Sequence, residues 1–187
     1  MNRRLAAAVL VVVSLAVGAT ACSSKSSSSS DSSTTATSGQ SSSGASSSSL
    51  STWVGSMCTA ISPSADALAA AAKTAQASGK PSDISALLES TSALLKAVSS
   101  EIVTLGAPSI DGGAAMVADY PKGISQAIAT VNSAAASVKA GSISSVDQIG
   151  SIDVNAGVSP EAKQAWAKVE AEMGNNPKCA SVKAALA

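Results

Sequence analysis

Residues 82–105 read SDISALLESTSALLKAVSSEIVTL and carry the clearest secondary-structure pattern in the chain. The spacing predicts one amphipathic helix, capped by Ser82 and stopped by Gly106 and Pro108. The width of its buried face is typical of a helix packed inside a bundle, and a coiled-coil site for a partner protein is the alternative. Its face consists of residues at alternating steps of four and three, Ile84, Leu88, Thr91, Leu95, Val98, Ile102 and Leu105, widened by Leu87 and Leu94.

Helical patterns also flank this segment. A first helix, capped by Thr52, is predicted to break or restart at Pro63, because proline is tolerated in a first turn but not inside a helix. A third helix is predicted from the cap Asp111 to Gly141, with a kink or restart at Pro121. Abundant alanine and short β-branched runs favour helix over sheet throughout.

The C-terminal part predicts two further helices. The sequence Ser159-Pro160-Glu161 combines a capping side chain, a proline at the first position and an acid near the helix N-terminus. A short last helix is predicted after Asn176-Pro177. Residues 142–158 fit either a short helical turn or a strand. We therefore predict an all-α fold over residues 51–187, an antiparallel bundle of about four main helices.

The N-terminus has the pattern of an export signal. Met1-Asn2-Arg3-Arg4 is basic, and residues 5–17 form an apolar run of about 13 residues, short of the roughly 20 that a transmembrane helix needs. We expect residues 1–21 to be a signal peptide, with a retained membrane span as the alternative. Residues 22–50 are mostly serine and predict a disordered linker.

Ala19-Thr20-Ala21-Cys22 resembles the lipobox of bacterial lipoprotein precursors. The resemblance implies that Cys22 receives a diacylglyceryl group on its sulfur and becomes the acylated first residue of the mature protein. Two acyl chains on one residue give stable membrane anchoring. Ordinary signal cleavage with release of a soluble protein is the alternative. The order of a short signal, a serine-rich tether, alanine-rich helices and two distant cysteines is similar to that of small uncharacterised helical lipoproteins of high-GC Gram-positive bacteria.

Two cysteines remain after Cys22 is assigned to lipid. Cys58 and Cys179 form an even pair near opposite ends of the helical part of an exported protein, where disulfides persist. We predict a disulfide between them, with two buried free thiols as the alternative. Such a bridge closes a loop of about 120 residues and stabilises by roughly 4 to 5 kcal/mol on the chain-entropy account.

The composition excludes several classes of function. The 187 residues include no His, and the segment after residue 21 contains no Arg, so the usual general base and the bidentate phosphate ligand are both missing. Balanced charge, with 12 basic and 12 acidic residues, argues against nucleic acid as a partner. Structural zinc sites use four ligands, mostly Cys and His, and two cysteines without His cannot supply them. No cofactor or metal is therefore expected.

Three motifs approach known sites without completing them. Gly123-Ile124-Ser125-Gln126-Ala127 lacks the final glycine of a nucleophile elbow and sits in a helical register. Asp153-Val154-Asn155-Ala156-Gly157 departs from a calcium loop and predicts an Asx-type turn instead. Glu170 and Glu172 are two apart on a helix and cannot face each other. We therefore expect no catalytic residues.

These features predict a lipid-anchored protein on the extracytoplasmic face of the cell membrane, with a non-enzymatic helical domain that binds another envelope protein or a cell-wall component. One alternative is a carrier of a small apolar ligand or lipid, which predicts an apolar pocket of a few hundred Å³. An interaction module predicts an exposed apolar patch instead. The third class, an enzyme using carboxylates and lysines, predicts that two of a set of seven residues meet in a cleft: Asp66, Glu89, Glu101, Asp119, Lys73, Lys96 and Lys122.

Overall fold

The computed structural model describes residues 49–149 and 152–186, and this part of the chain is helical with no strand. The predicted all-α fold class is confirmed. The predicted signal peptide 1–21, the anchor Cys22 and the serine-rich segment up to residue 48 lie outside the described residues. The helices are α1 Leu50–Ser78, α2 Pro81–Leu105, α3 Gly113–Lys139, α4 Pro160–Asn175 and α5 Ala180–Leu186, with short 3-10 helices at Val146–Gln148 and Pro177–Cys179.

The first four helices pack side by side in chain order. Helix α2 lies between α1 and α3, while α4 packs against α3 and α1, and α5 packs against α1. The main core is built from Trp53, Met57 and Ile61 of α1 together with residues of the other four helices. A smaller second core joins the N-terminal half of α2 to the C-terminal half of α3. This arrangement leaves one end of the bundle to be filled by α4 and α5.

Helix α1 runs through Pro63 without the predicted break. Proline removes one backbone hydrogen bond, to the carbonyl of Thr59, but both residues lie on the exposed side of the helix, where water can solvate that carbonyl. The helix also begins earlier than predicted. Ser49 rather than Thr52 is the cap, its hydroxyl accepting a hydrogen bond from the Thr52 amide at 3.4 Å.

Two other predicted caps are wrong. Helix α2 begins at Pro81 after Lys80, so Ser82 lies inside its first turn. Helix α3 is preceded by Gly112, not Asp111, because that position has φ of 80°, a left-handed conformation that favours glycine. Helix α3 also continues through Pro121 without restarting. The predicted start of α4 is confirmed, with the Ser159 hydroxyl accepting from the Ala162 amide at 3.3 Å.

The ambiguous segment 142–158 forms no strand in its described residues and contains the 3-10 helix Val146–Gln148. Ile152 is buried against the second core, and Ile149 and Val154 pack beside it. The predicted Asx turn is present, since the Asn155 amide donates to a carboxylate oxygen of Asp153 at 2.8 Å. The apolar residues of the 142–158 segment therefore pack against α2 and α3 instead of pairing as a strand.

The C-terminal end of the chain is tied to α1 by Cys58 and Cys179, which lie at disulfide distance with Cα atoms 5.0 Å apart. Both side chains are completely buried. Nearby, the side-chain amide of Asn176 donates to the Ser51 backbone carbonyl at 3.0 Å. These contacts hold 3-10 helix Pro177–Cys179 and α5 against α1 and so fix one wall of the site described below.

Within residues 49–149 and 152–186, no helix combines the length and the apolar character that crossing a bilayer requires.

An apolar cavity as the candidate functional site

A cavity of about 310 Å³ lies between the helices, and all five of them contribute to its wall. Its side chains are almost entirely apolar, with Glu170 and Lys183 the charged exceptions. The volume falls at the lower end of the range of small-molecule sites, roughly 300 to 1,000 Å³. The wall is formed by Met57, Ile61 and Leu68 of α1, Thr91, Leu94, Leu95 and Val98 of α2, Tyr120 and Ile124 of α3, Val154 of the 142–158 segment, Trp166, Glu170, Met173 and Gly174 of α4, and Val182 and Lys183 of α5.

The cavity interrupts the apolar face of α2. Leu87, Leu88 and Leu94 of that face are buried, as the sequence predicts, whereas Leu95 and Val98 are only partly buried. Both line the cavity. Met173 on α4 is likewise only partly buried and lines the opposite side. Side chains with the periodicity of core residues thus face a space that no side chain of residues 49–149 and 152–186 fills.

Two aromatic rings form one side of the site. Tyr120 of α3 and Trp166 of α4 stack with ring centroids 4.8 Å apart. The Tyr120 hydroxyl donates to the Asn155 side-chain oxygen at 3.2 Å, so the Asx turn of the 142–158 segment positions the ring. Burial, and to a lesser extent the charge of Glu170, raises the pKa of Tyr120 far above its usual value. The phenol therefore stays neutral and acts as part of the wall.

Among the described residues, Glu170 is the one carboxylate that faces the cavity. It follows Trp166 by one helical turn, and its Oε1 accepts a hydrogen bond from Trp166 Nε1 at 3.1 Å. Burial raises the pKa of Glu170, and the Trp166 hydrogen bond partly offsets that effect. In the sequence, Glu170 stands out only through its spacing from Glu172. Its four-residue spacing from Trp166, on a helix whose inner face also holds Val169 and Met173, is the signal that identifies it.

Lys183 lies on the rim of the same cavity, from α5. Its side chain is exposed, and its ammonium group donates to the Gly174 carbonyl near the end of α4 at 2.9 Å. A cation at a helix C-terminus is favourable because the last carbonyls are unsatisfied. Lys183 thus joins α4 to α5 at the rim.

The seven candidates of the carboxylate and lysine prediction do not converge on this cavity. Asp119 and Lys122 approach within 3.7 Å one turn apart on α3, where the Lys122 side chain is 76% exposed. Hydrogen bonding from Ser159 lowers the pKa of Asp119, and the same carboxylate accepts from the Ser159 amide at 3.2 Å. Asp119 therefore supports the start of α4. Asp66, Lys73 and Lys96 are exposed and Glu101 is partly exposed, each on a helix surface.

A second depression lies between α2 and α3, near Ser85 and Val138. Its charged groups, Glu89 and Lys139, form an ion pair at 2.7 Å, and the hydrogen bond from Lys139 lowers the pKa of Glu89. Because these two charges pair with each other at the surface, the depression has no free charged group of its own among the described residues to bind a ligand, and we take the apolar cavity as the candidate site.

The glycine of the elbow-like motif has a packing role. Gly123 lies within α3, and a Cβ atom there would approach the Val154 carbonyl oxygen to 2.4 Å. The serine of the motif, Ser125, is exposed on the same helix. The motif thus brings the 142–158 segment close to α3 and assembles no nucleophile in the described residues.

Among residues 49–149 and 152–186, no group of three or more His, Cys, Asp or Glu side chains is placed to hold a metal ion. No family model, curated protein or solved structure matches the chain. The candidate site is therefore defined by its own geometry.

Proposed function

We propose that this protein is a lipid-anchored, non-enzymatic envelope protein whose helical domain binds a small apolar ligand in the cavity between its helices. The observation that carries the proposal is the cavity itself, about 310 Å³ in volume and lined almost wholly by apolar side chains. Of the alternatives raised by the sequence, only the carrier predicts such a space.

The leading prediction from the sequence, a helical domain that binds another envelope protein or a cell-wall component, has less support. That class predicts a contiguous apolar patch on the surface. Among the large hydrophobic residues of the described chain, only Val103 is strongly exposed, at 61%. A single exposed valine is ordinary for a soluble surface. Binding to an apolar ligand inside the bundle therefore accounts for more of the described features than docking on its outside.

The chemistry of the cavity supports binding rather than turnover. Its charged groups are one carboxylate, hydrogen-bonded to Trp166, and one lysine, hydrogen-bonded to a backbone carbonyl. The composition supplies no His to act as a base and no nucleophile motif. Apolar walls with few polar groups are typical of sites that hold and release a ligand.

The binding part of the proposal is tested with a neutral apolar fluorophore, N-phenyl-1-naphthylamine, added to the chain of residues 22–187 carrying Cys22→Ala. We expect saturable binding that Val98→Phe weakens by about tenfold or more, because Val98 lines the cavity and a larger ring fills it. Val103→Phe is the matched control, since it adds the same ring on the same helix at an exposed position. Equal effects of the two variants, with both melting cooperatively, would contradict the proposal.

The anchoring part rests on Cys22 and is tested separately in cells. Cys22→Ala should move the full-length protein from the membrane to the medium, or leave it as uncleaved precursor, because the acylated sulfur is absent. A variant that is cleaved and membrane-bound like the parent would contradict lipid anchoring without affecting the binding result.

A further inference from the structure

The polar groups of the cavity limit which head group its ligand can carry. Glu170 is half-buried within the wall, whereas Lys183 is exposed at the rim. Charges act more strongly on a ligand where water is partly excluded, since the effective dielectric constant is lower there. Glu170 therefore dominates the electrostatics that a bound head group meets.

Glu170 also has hydrogen-bonding capacity to offer. Its Oε1 accepts from Trp166 Nε1, and within the described part of the chain its second oxygen accepts no hydrogen bond. Tyr120, the neighbouring donor, directs its hydroxyl to Asn155 instead. An ionised carboxylate offers about four acceptor positions and no donor, so the group that completes this site is itself a donor.

Lys183 acts on a head group less directly than Glu170 does. One of its three N–H donors is bonded to the Gly174 carbonyl, and its side chain is exposed at the rim, where water and salt screen the charge. An anionic head group attracted to this lysine would also be repelled by the half-buried carboxylate of Glu170 in the wall of the same cavity. A cationic head group meets the carboxylate directly and avoids the lysine on the solvent side.

The volume limits the length of the tail. A methylene group occupies about the volume of a water molecule in the liquid, roughly 30 Å³. The cavity, at about 310 Å³, therefore has room for one alkyl chain of about ten carbons and not for a two-chain lipid.

Together, and resting on the proposed function, these observations lead us to propose that the ligand is a single-chain amphiphile of about ten carbons with an ammonium head group, its tail in the apolar cavity and its head on the Glu170 carboxylate. The tail supplies affinity through burial. The head group supplies selectivity, because the Glu170 carboxylate attracts and accepts hydrogen bonds from an ammonium group and repels a carboxylate.

The test compares decylammonium, decanol and decanoate, each below its micelle-forming concentration, by calorimetric titration of the chain of residues 22–187 with Cys22→Ala near neutral pH. We expect decylammonium to bind about tenfold more tightly than decanoate. Glu170→Gln should reduce that ratio to about threefold or less. Glu172→Gln, on the same helix and outside the cavity, is the matched control and should preserve the ratio. Shortening the ammonium chain should weaken binding about fourfold for each methylene removed.

Each outcome decides a different point. Decanoate binding as tightly as decylammonium, or a preference that survives Glu170→Gln, would overturn the head-group assignment while leaving an apolar-ligand protein. Affinity that keeps rising well beyond twelve carbons would overturn the single-chain length limit. If none of the three probes binds and N-phenyl-1-naphthylamine does not bind either, both the proposed function and this inference fail. If the fluorophore binds and the three probes do not, only this inference fails.

Discussion

At the scale of single residues, Gly123 shows how a missing side chain positions the site. Its backbone packs directly against Val154, whose carbonyl oxygen would lie 2.4 Å from an added Cβ atom. Val154 lines the cavity, so this close approach sets part of the cavity wall. Sequence analysis noted Gly123 only as part of an incomplete catalytic motif. The sequence could not assign the packing role because the contact joins residues 31 positions apart.

We expect Gly123→Ala to lower the free energy of unfolding by about 1 to 3 kcal/mol, since backbone cannot move aside as a flexible side chain can. Urea unfolding monitored by circular dichroism measures the change. Gly174→Ala is the control, because a Cβ there meets no atom within 4 Å and alanine favours helix by up to about 1 kcal/mol. A Gly123→Ala variant as stable as Gly174→Ala would contradict the close packing.

Glu170 predicts a pH dependence of stability. Burial raises its pKa above the ordinary 4.5, so folding favours the protonated form. Between the ordinary and the raised value the native state holds more protons than the unfolded state, and stability falls as pH rises through that window. Glu170→Gln keeps an acceptor for Trp166 Nε1 without the charge and removes this decline.

We therefore expect Glu170→Gln to melt at a higher temperature than the parent at neutral pH and at nearly the same temperature near about pH 3.5, where the unfolded parent is also protonated. The difference should be small, because Glu170 is only half-buried. Thermal melts in steps of pH, with Glu172→Gln as the control, measure it. A lower melting temperature for Glu170→Gln at neutral pH would contradict the sign.

At the scale of elements, helix α2 is the part that the sequence predicts best. Its stripe of three-and-four spacing correctly places Ile84, Leu88 and Ile102 in the core. The same stripe overestimates the burial of Leu95 and Val98, because periodicity identifies a face without showing whether a neighbouring helix fills the space opposite. The cavity lies where Leu95 and Val98 face such a space.

Ile102 and Val103 test the orientation of α2 directly, since they are neighbours in sequence, about 100° apart around the helix, and differ sharply in burial. Ile102 is completely buried and Val103 is 61% exposed. We expect Ile102→Ala to cost about 2 to 5 kcal/mol of unfolding free energy and Val103→Ala to stay within about 0.5 kcal/mol. Chemical unfolding of both variants provides the comparison. Similar costs for the two would contradict the assigned face.

The helix boundaries were less predictable than the faces. A break or restart was expected at Pro63 and a kink or restart at Pro121 from the general cost of proline inside helices, yet both helices continue. Tertiary packing on either side of each proline outweighs a local preference. The start of α4 was predictable because three independent local signals agree at Ser159, Pro160 and Glu161.

At the scale of the whole molecule, Cys58 and Cys179 join the ends of the helical domain across 121 positions. Proximity of the two was predicted from export and pairing, and the structure places them at disulfide distance. Replacing both by alanine should cost about 2 to 5 kcal/mol of stability, because the unfolded chain loses its constraint. Intact-mass analysis after alkylation of the unfolded parent tests the bond itself. Two alkylated thiols on these residues would contradict it.

The cavity could not be predicted at this scale from the sequence. Alanine-rich helices can approach one another closely, and this property does not show where a bundle leaves internal space. Whether facing residues such as Met57, Val98 and Met173 meet or leave a gap depends on how α4 and α5 pack against α1. That packing is a property of the assembled domain.

The methionine methyl groups provide the most direct measurement of whether the cavity binds an apolar ligand. Met57 and Met173 line it, whereas Met116 is buried outside its wall and serves as an internal control. Decanol is titrated into the chain of residues 22–187 with Cys22→Ala, labelled with ¹³C at the methionine methyl groups, and followed by two-dimensional NMR. We predict saturable shifts of the Met57 and Met173 signals with little change at Met116. Unchanged signals at saturating decanol, or equal shifts of all three, would contradict ligand binding in this cavity.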